Sequence, residues 1–427
     1  MMFWVWIYRI LMPVGFLFFL PGLLWKLWRR PGWKKTFGER FGLFSRARRE
    51  ELANFRGCVW VHAVSVGESV IALALVRKFL AAHPERKVVI STGTTTGQEL
   101  VRKQLPENAA AIFCPMDFPG MVNRTMRLFR PALLVILETE IWPNLILGAR
   151  RFGARTALVN ARMSDHSARG YRRFRFFFAP LLKQFDLIAA QSDGDAERFL
   201  SVSPGAAVKS CGNLKFDQSV PENLAAPDWA EFFDSASPLI LLGASTHPGE
   251  EELLAKTYLR LRERFPALRL VLVPRHAERG GEIMETLKRL GVGAVRKSSG
   301  ERSGGRVDCL LADTTGEMLK WMAGSDVVVM GKSLAGHDEG HNLIEPALLK
   351  KAIVTGKVLR NFRFLLKILT EAEAVATVPD DAALESTLAE LLADEPRRKR
   401  LGETAFAAIS VHAGATRKTL EALEKIL

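Results

Sequence analysis

Two carboxylates at the end of an apolar run are the first residues able to do chemistry. Leu133–Asn144 reads LLVILETEIWPN, and the strand-like part stops at Glu138 and Glu140. Like charges beside a buried sheet repel each other and are costly to desolvate, so such a pair calls for a chemical reason. A third acid, Glu68, follows the apolar run 58–64 and stands where a helix opens. The helix N-terminus favours its charged form, although an ordinary helix-start glutamate would look the same. In the second half, LVLVPRHAER (270–279) puts Arg275 and His276 at a strand end, where a planar guanidinium suits a phosphate or carboxylate. DTTGEM (313–318) also follows a strand and opens a helix, so its N–H groups could meet an anion.

The densest polar stretch is GKSLAGHDEGHNLIEP (331–346). Gly331, Gly336 and Gly340 permit close backbone approach, and Asn342 and Glu345 have the spacing of a helix-start capping pair. His337 and His341 have no third ligand set beside them and no H-E-x-x-H, so no metal site is expected. Gly331-Lys332-Ser333 is not a phosphate loop either, because Asp326 stands where the upstream glycine would be. One further cluster interleaves Arg169, Arg172, Arg173, Arg175 and Lys183 with Tyr171, Phe174 and Phe176–Phe178. That alternation suits an anionic lipid surface or single-stranded nucleic acid.

The distribution of charge separates these two readings. The 427 residues carry a net charge of +14, with 48% apolar and 25% charged residues, which excludes a disordered or low-complexity chain. Residues 1–49 hold ten Lys or Arg and one acid, Glu39, so about two thirds of the surplus sits there. The remainder is too thin for a nucleic-acid footprint. The same segment holds Trp4, Trp6, Trp25, Trp28 and Trp33 around an uncharged run, Ile10 to Trp25. Sixteen helical residues reach ~24 Å at ~1.5 Å each, short of a ~30 Å hydrocarbon core. Adding 1–8, with Arg9 snorkelling, would let the helix span; bending at Pro13 and Pro21 would instead give a re-entrant or interfacial lie. Residues 1–30 are therefore expected to be a membrane anchor with a basic flank, the body lying on the cytoplasmic face of the inner membrane. No small-x-small cleavage site follows the run, which argues against a removed signal peptide.

These side chains need a scaffold of alternating strands and helices, and the sequence supplies one. Strands are expected at 58–64, 87–91, 110–114, 133–137, 155–160, 187–190 and 208–210, each followed by a helical or polar segment. After a Pro- and acid-rich linker, 219–237, the same grammar resumes at 239–243, 269–274, 293–296, 308–312, 326–330, 352–355 and 374–377. The pattern predicts an α/β protein with two Rossmann-like doubly wound domains, 31–218 and 238–427, facing across a cleft, the last helix packing back on the first domain. Cys58, Cys114, Cys211 and Cys309 are too dispersed for a disulfide framework or zinc ribbon.

The motifs together resemble the Kdo transferases, which move 3-deoxy-D-manno-octulosonic acid (Kdo) from CMP-Kdo to the lipid A precursor. The resemblance rests on VHAVSVGES (61–69), STGTTTG (91–97), LETEIWPN (137–144), NARMS (160–164), GNLKFD (212–217), ASTHPGEEE (244–252), PRHAER (274–279), DTTGEM (313–318) and GHNLIEP (340–346). It implies a GT-B glycosyltransferase with the acceptor on the first domain and the nucleotide on the second. It further implies Glu68 as catalytic base, with Glu138 and Lys215 assisting the transition state. CMP would be held by Pro274 and Arg275, by Gly316, Glu317 and Met318, and by Asn342, Leu343, Ile344 and Glu345. No cofactor or metal is implied; the partners would be CMP-Kdo, lipid IVA and the inner membrane, with Arg169, Arg172, Arg173 and Arg175 towards the acceptor. Ala277 and Thr315 depart from the family's usual Pro and Met, beside binding residues rather than on them.

Overall fold

The computed structural model describes residues 2–28, 38–218, 220–221, 223–234, 237–302 and 306–427. The basic flank around Arg29, Arg30, Lys34 and Lys35 lies outside the described residues. Two compact units are formed, one from residues 1–218 with 413–427, the other from residues 219–412.

In the first unit seven strands run β1 (Val59–Ala63), β2 (Val88–Thr92), β3 (Ala109–Phe113), β4 (Leu133–Leu137), β5 (Arg155–Ala161), β6 (Leu187–Ala190) and β7 (Val208–Ser210). They form one sheet in the order β3-β2-β1-β4-β5-β6-β7, with all six neighbouring pairs parallel. Parallel strands need helical crossovers, which bury both sheet faces, and this is why β4 is the unbroken run LLVIL. Alternation along a strand divides the core into two layers. Val59, Val61 and Ala63 face the layer holding Ile71, Leu73 and Val76, whereas Trp60 faces the layer holding Phe129 and Leu134. Each such side chain, fully buried, contributes about 1.5–3 kcal/mol. The helices that cover the faces start at side-chain caps: Ser65, Thr94, Ser164 and Ser192 each accept from the backbone N–H three residues on. The final helix, Ala415–Glu424, completes the first layer through Leu420 and Leu423. Its start is fixed by the Asp217 carboxylate, which accepts from the N–H groups of Gly414 and Thr416.

The second unit repeats the plan with β8 (Leu239–Thr246), β9 (Leu268–Pro274), β10 (Ala294–Arg296), β11 (Cys309–Leu311), β12 (Val327–Met330), β13 (Ala352–Gly356) and β14 (Ala376–Val378), in the order β10-β11-β9-β8-β12-β13-β14. Of the stretch read as a linker, Trp229 and Phe233 are buried, and the Trp229 indole N–H donates to the Gly324 carbonyl at 3.1 Å. The prolines and acids suggest solvated chain, but Trp229 and Phe232 pack on Trp321, and Phe233 packs on Trp229.

The N-terminal helix, Met2–Trp28, lies on the first unit. Tyr8 donates to the Asp117 carboxylate at 2.8 Å, Arg9 donates to Asn144 Oδ1 at 2.7 Å, and Trp4 meets the Phe176 ring at 4.2 Å. These contacts do not show the spanning form of the anchor. Arg9 does not snorkel; it docks on protein, so the first turns are not available to lengthen the apolar run. Among the described residues, no helix is long and apolar enough to cross a membrane.

Candidate active site

Each sheet contains one place where neighbouring strands send their connections to opposite faces, and a crevice opens there at the carboxyl ends. In the first unit that place lies between β1 and β4. Glu68 arrives from β1, held in a reciprocal cap: its carboxylate accepts from the Val64 N–H and the Ser65 hydroxyl, both at 2.8 Å, while the Ser65 oxygen accepts from the Glu68 N–H. The helix-start role is therefore real. It occupies only part of the acceptor capacity of a carboxylate, which has about four lone-pair sites.

Glu138 follows β4 directly and has φ of 57°, a left-handed conformation that a side chain rarely adopts. Its N–H donates to the Val159 carbonyl at 2.9 Å, and its carboxylate meets Lys215 Nζ at 2.8 Å. Lys215 sits in a one-turn helix, Leu214–Asp217, whose start is capped by Asn213. Burial pushes the Glu140 carboxyl above its ordinary value, and the charges of Glu68 and then Glu138 add to it. Three acids and one lysine thus gather at a single crevice.

Asn160, at the end of β5, also has left-handed φ, 55°. Its Oδ1 accepts from the Leu214 N–H at 3.0 Å, so it positions the Lys215 turn, and its buried Nδ2 has no partner among the described residues. The sequence reading passed over Asn160, although an asparagine closing an apolar strand is a usable signal for a left-handed residue.

Arg169, Arg172, Arg173 and Arg175 are not at this crevice floor. They lie exposed on the helix Asp165–Arg173 and at the start of Arg175–Leu182, beside exposed Phe174 and Phe176. Tyr171 on the same helix is raised by burial and then by the Glu140 charge, which places the cluster next to the acids.

In the second unit the corresponding crevice lies between β8 and β12. The loops that follow these strands are joined by Glu250, which is 1% exposed. Its carboxylate accepts from the N–H groups of Lys332, Ser333 and Leu334, and from that of His247. Gly331 allows the two strand ends to touch, since a Cβ there would stand 2.3 Å from the Ser245 carbonyl oxygen. His247 and His341 face each other with Nε2 atoms 3.0 Å apart. Neither His247 nor Glu250 was singled out from sequence; both lie within ASTHPGEEE, where nothing marks them apart from their neighbours.

Pro274 ends β9, and Arg275 is exposed beyond it; among the described residues its guanidinium forms no ion pair. Asn342 Oδ1 accepts from the Ile344 N–H at 3.2 Å, and Leu343 and Ile344 are buried. Glu345 does not return the cap. Burial holds its carboxyl above the usual range, opposed by the Arg275 charge, so these two belong to one locality. Gly316 has φ of 89°, Glu317 accepts from the Thr314 hydroxyl, and Met318 opens the helix Met318–Ala323. This segment follows β11, separated from the crevice by β9.

Residues 35–218 match the family described as 3-deoxy-D-manno-octulosonic-acid transferase (kdotransferase). A 3-deoxy-D-manno-octulosonic acid transferase of Haemophilus influenzae is 30% identical over 407 residues, 93% of each chain. One from Bordetella pertussis is 34% identical over 418 residues, 94% of each chain. The chain belongs to the Kdo transferase family. It is a glycosyltransferase that moves Kdo. A putative UDP-N-acetylglucosamine 2-epimerase from Listeria monocytogenes, 13% identical, aligns with a TM-score of 0.60 over 87% of this chain and 96% of that one. At that identity the likeness shows the fold alone, the two-domain GT-B plan shared by this Kdo transferase. Among the described residues no group of three or more His, Cys, Asp or Glu is arranged to hold a metal ion.

Proposed function

We propose that this Kdo transferase uses CMP-Kdo as donor and the lipid A precursor, lipid IVA, as acceptor, by an inverting single displacement in which Glu68 is the general base. The observation that carries the reading is the gathering of Glu68, Glu138 and Glu140, with Lys215, at the switch point of the first sheet. A displacement at a ketosidic carbon builds positive charge on the sugar while the acceptor hydroxyl loses its proton. Nearby carboxylates favour that cation, and one of them must take the proton. Glu68 keeps free lone pairs for this, and its cap fixes the side chain so that little reorganisation is needed at the moment of reaction. Lys215 holds Glu138 in place through a charge-assisted hydrogen bond of 2.8 Å.

On the second unit, Arg275 supplies a fork of donors for the phosphate of departing CMP. Glu345 would accept from ribose hydroxyls. Asn342, Leu343 and Ile344 shape that pocket wall, and Pro274 with Gly316, Glu317 and Met318 completes the CMP contacts. CMP leaves as a stabilised phosphate monoester, so the scheme needs no general acid, metal or other cofactor.

The acceptor is a phosphorylated lipid, and the N-terminal helix supports an interfacial membrane site rather than a span. Phe3, Trp6, Ile10, Leu11, Val14, Leu17 and Phe18 recur at helical spacing and are exposed, while Val5 is buried and Tyr8 and Arg9 are tied to the protein. An apolar face of this kind sinks into the headgroup boundary. The exposed Phe174 and Phe176 extend it, and Arg169, Arg172, Arg173 and Arg175 would meet lipid phosphates on the cytoplasmic face of the inner membrane. No nucleic-acid partner is assigned.

Purified enzyme incubated with CMP-Kdo and tetraacyl lipid A precursor is expected to yield Kdo-bearing lipid, counted by mass spectrometry, with release of CMP. Sugar transfer from a UDP-sugar to the same lipid, with CMP-Kdo untouched, would overturn the donor assignment.

A further inference from the structure

Half of the eight histidines gather around one point of the second unit. His247 and His341 come from the loops after β8 and β12, on either side of the switch point, with rings 5.2 Å apart and inclined by 25°. The rings of His276 and His337 lie 6.0 and 5.6 Å from that of His247. Two Nε2 atoms 3.0 Å apart can share one proton and no more. One ring therefore donates through Nε2 and keeps an unprotonated Nδ1; the other accepts.

We infer that His247 and His341 form a one-proton switch that becomes charged when an oxyanion of the donor enters this crevice, making the pair a selector for an acidic sugar nucleotide. The inference rests on the assignment of donor binding to this unit. The proton balance is simple. A proton from solvent adds to Nδ1 of the donating ring, the Nε2–H···Nε2 bond persists, and the new Nδ1–H faces the anion.

The surroundings explain why the pair is held neutral. The charged and titratable groups facing it are Lys332 and Glu339 from the 331–346 loop, His337 from the same loop, and Arg275 and His276 from the loop after β9. Glu250 is spoken for by four backbone N–H groups. Burial, then the Lys332 charge, holds His247 down at about 4; burial, then His247 itself, does the same to His341, with Glu339 opposing. An anion a few ångströms away reverses the sign of that field and typically raises such a group by ~1–3 pH units. Binding therefore draws a proton from solution. The oxyanion has two sources, the nucleotide phosphate and the carboxylate of the ulosonic acid, and the test separates them.

The test is calorimetric titration of the full-length enzyme with CMP near pH 5.5, in buffers of different ionisation enthalpy, with and without free Kdo. Each CMP should draw roughly 0.2 to 0.9 of a proton more in the wild type than in the double variant His247→Gln with His341→Gln, which leaves neither imidazole to titrate. His337→Gln, whose ring lies beside His247 but makes its polar contact with the Pro248 carbonyl and takes no part in the Nε2–Nε2 bond, should keep most of the wild-type uptake. The phosphate's own proton contributes equally to every variant and drops out of the difference. A difference seen with CMP alone assigns the phosphate; one that needs Kdo assigns the carboxylate. Nitrogen-15 shifts of the wild-type imidazoles give the same readout without substitution, one ring moving to its doubly protonated form. CMP binding with no such difference in either arm, or an equal loss in His337→Gln, overturns the switch. Failure of CMP to bind at all overturns the donor assignment, and the switch with it.

Discussion

The two sheets share one plan and carry opposite chemistry. At the switch point of the first stand Glu68, Glu138 and Glu140 with a single lysine; at that of the second stand His247, His341, Arg275 and Lys332, with Glu250 turned inward to backbone N–H groups. Under the proposed function the first crevice accepts a proton and favours a cation, and the second receives anions. Fold alone does not distinguish them. The difference lies in a handful of side chains on the loops after β1, β4, β7, β8, β9 and β12, at the carboxyl ends of the strands, which is where function is grafted on a doubly wound sheet.

The sharpest way to break this division is at Glu68. Glu68→Gln should lower transfer by roughly 10²–10⁴-fold while leaving CMP affinity unchanged, because proton acceptance is lost and the donor crevice is untouched. Parallel rate and CMP-binding measurements check both halves, and undiminished transfer would remove Glu68 as the base. Next in size is a test of how the second crevice is held. Glu250→Ala strands four loop N–H groups and should cost about 3 kcal/mol in urea unfolding. A cost below ~1 kcal/mol would mean that the loop finds other partners. Arg275→Ala should then weaken CMP by roughly 10- to 100-fold with little change in stability, since the side chain is exposed.

Acidity provides a smaller contrast. Burial pushes Asp117 in the first unit up to about 6, so the stability it contributes is complete below its ordinary 3.8 and is lost as pH rises through about 6. His247 and His341 in the second unit are held down to about 4, so their contribution is complete above 6.5 and is lost as pH falls through about 4. Urea midpoints between pH 4 and 7 should show Asp117→Asn gaining, and His341→Gln losing, upward slope with pH relative to wild type. The smallest effect concerns the surface alone: Ile10→Glu with Leu17→Glu should reduce flotation with anionic vesicles without moving Tm, both side chains being exposed.

Much of this was legible in the sequence, for physical reasons that differ by element. All fourteen expected strands form, because runs such as LLVIL and VVVM are buried on both faces and cannot be mistaken for solvated chain. Their ends move by up to three residues, most at β8, where a bulge at Ser245 carries pairing on to Thr246. Glu138 stood out because it ends an apolar run beside another acid. His247, Glu250 and Asn160 did not, because their roles depend on partners 94, 82 to 84 and 54 residues away in the chain. The N-terminal helix was foreseen, but not that Arg9 would find Asn144 and bind the helix to protein.

The single displacement is the centre of the account, and the anomeric configuration of the transferred sugar tests it most directly. With Glu68 acting only as a base, NMR of the lipid product should show the configuration opposite to that in the donor. Retention would mean that one of the clustered carboxylates attacks the sugar and forms a covalent intermediate, and would contradict the account.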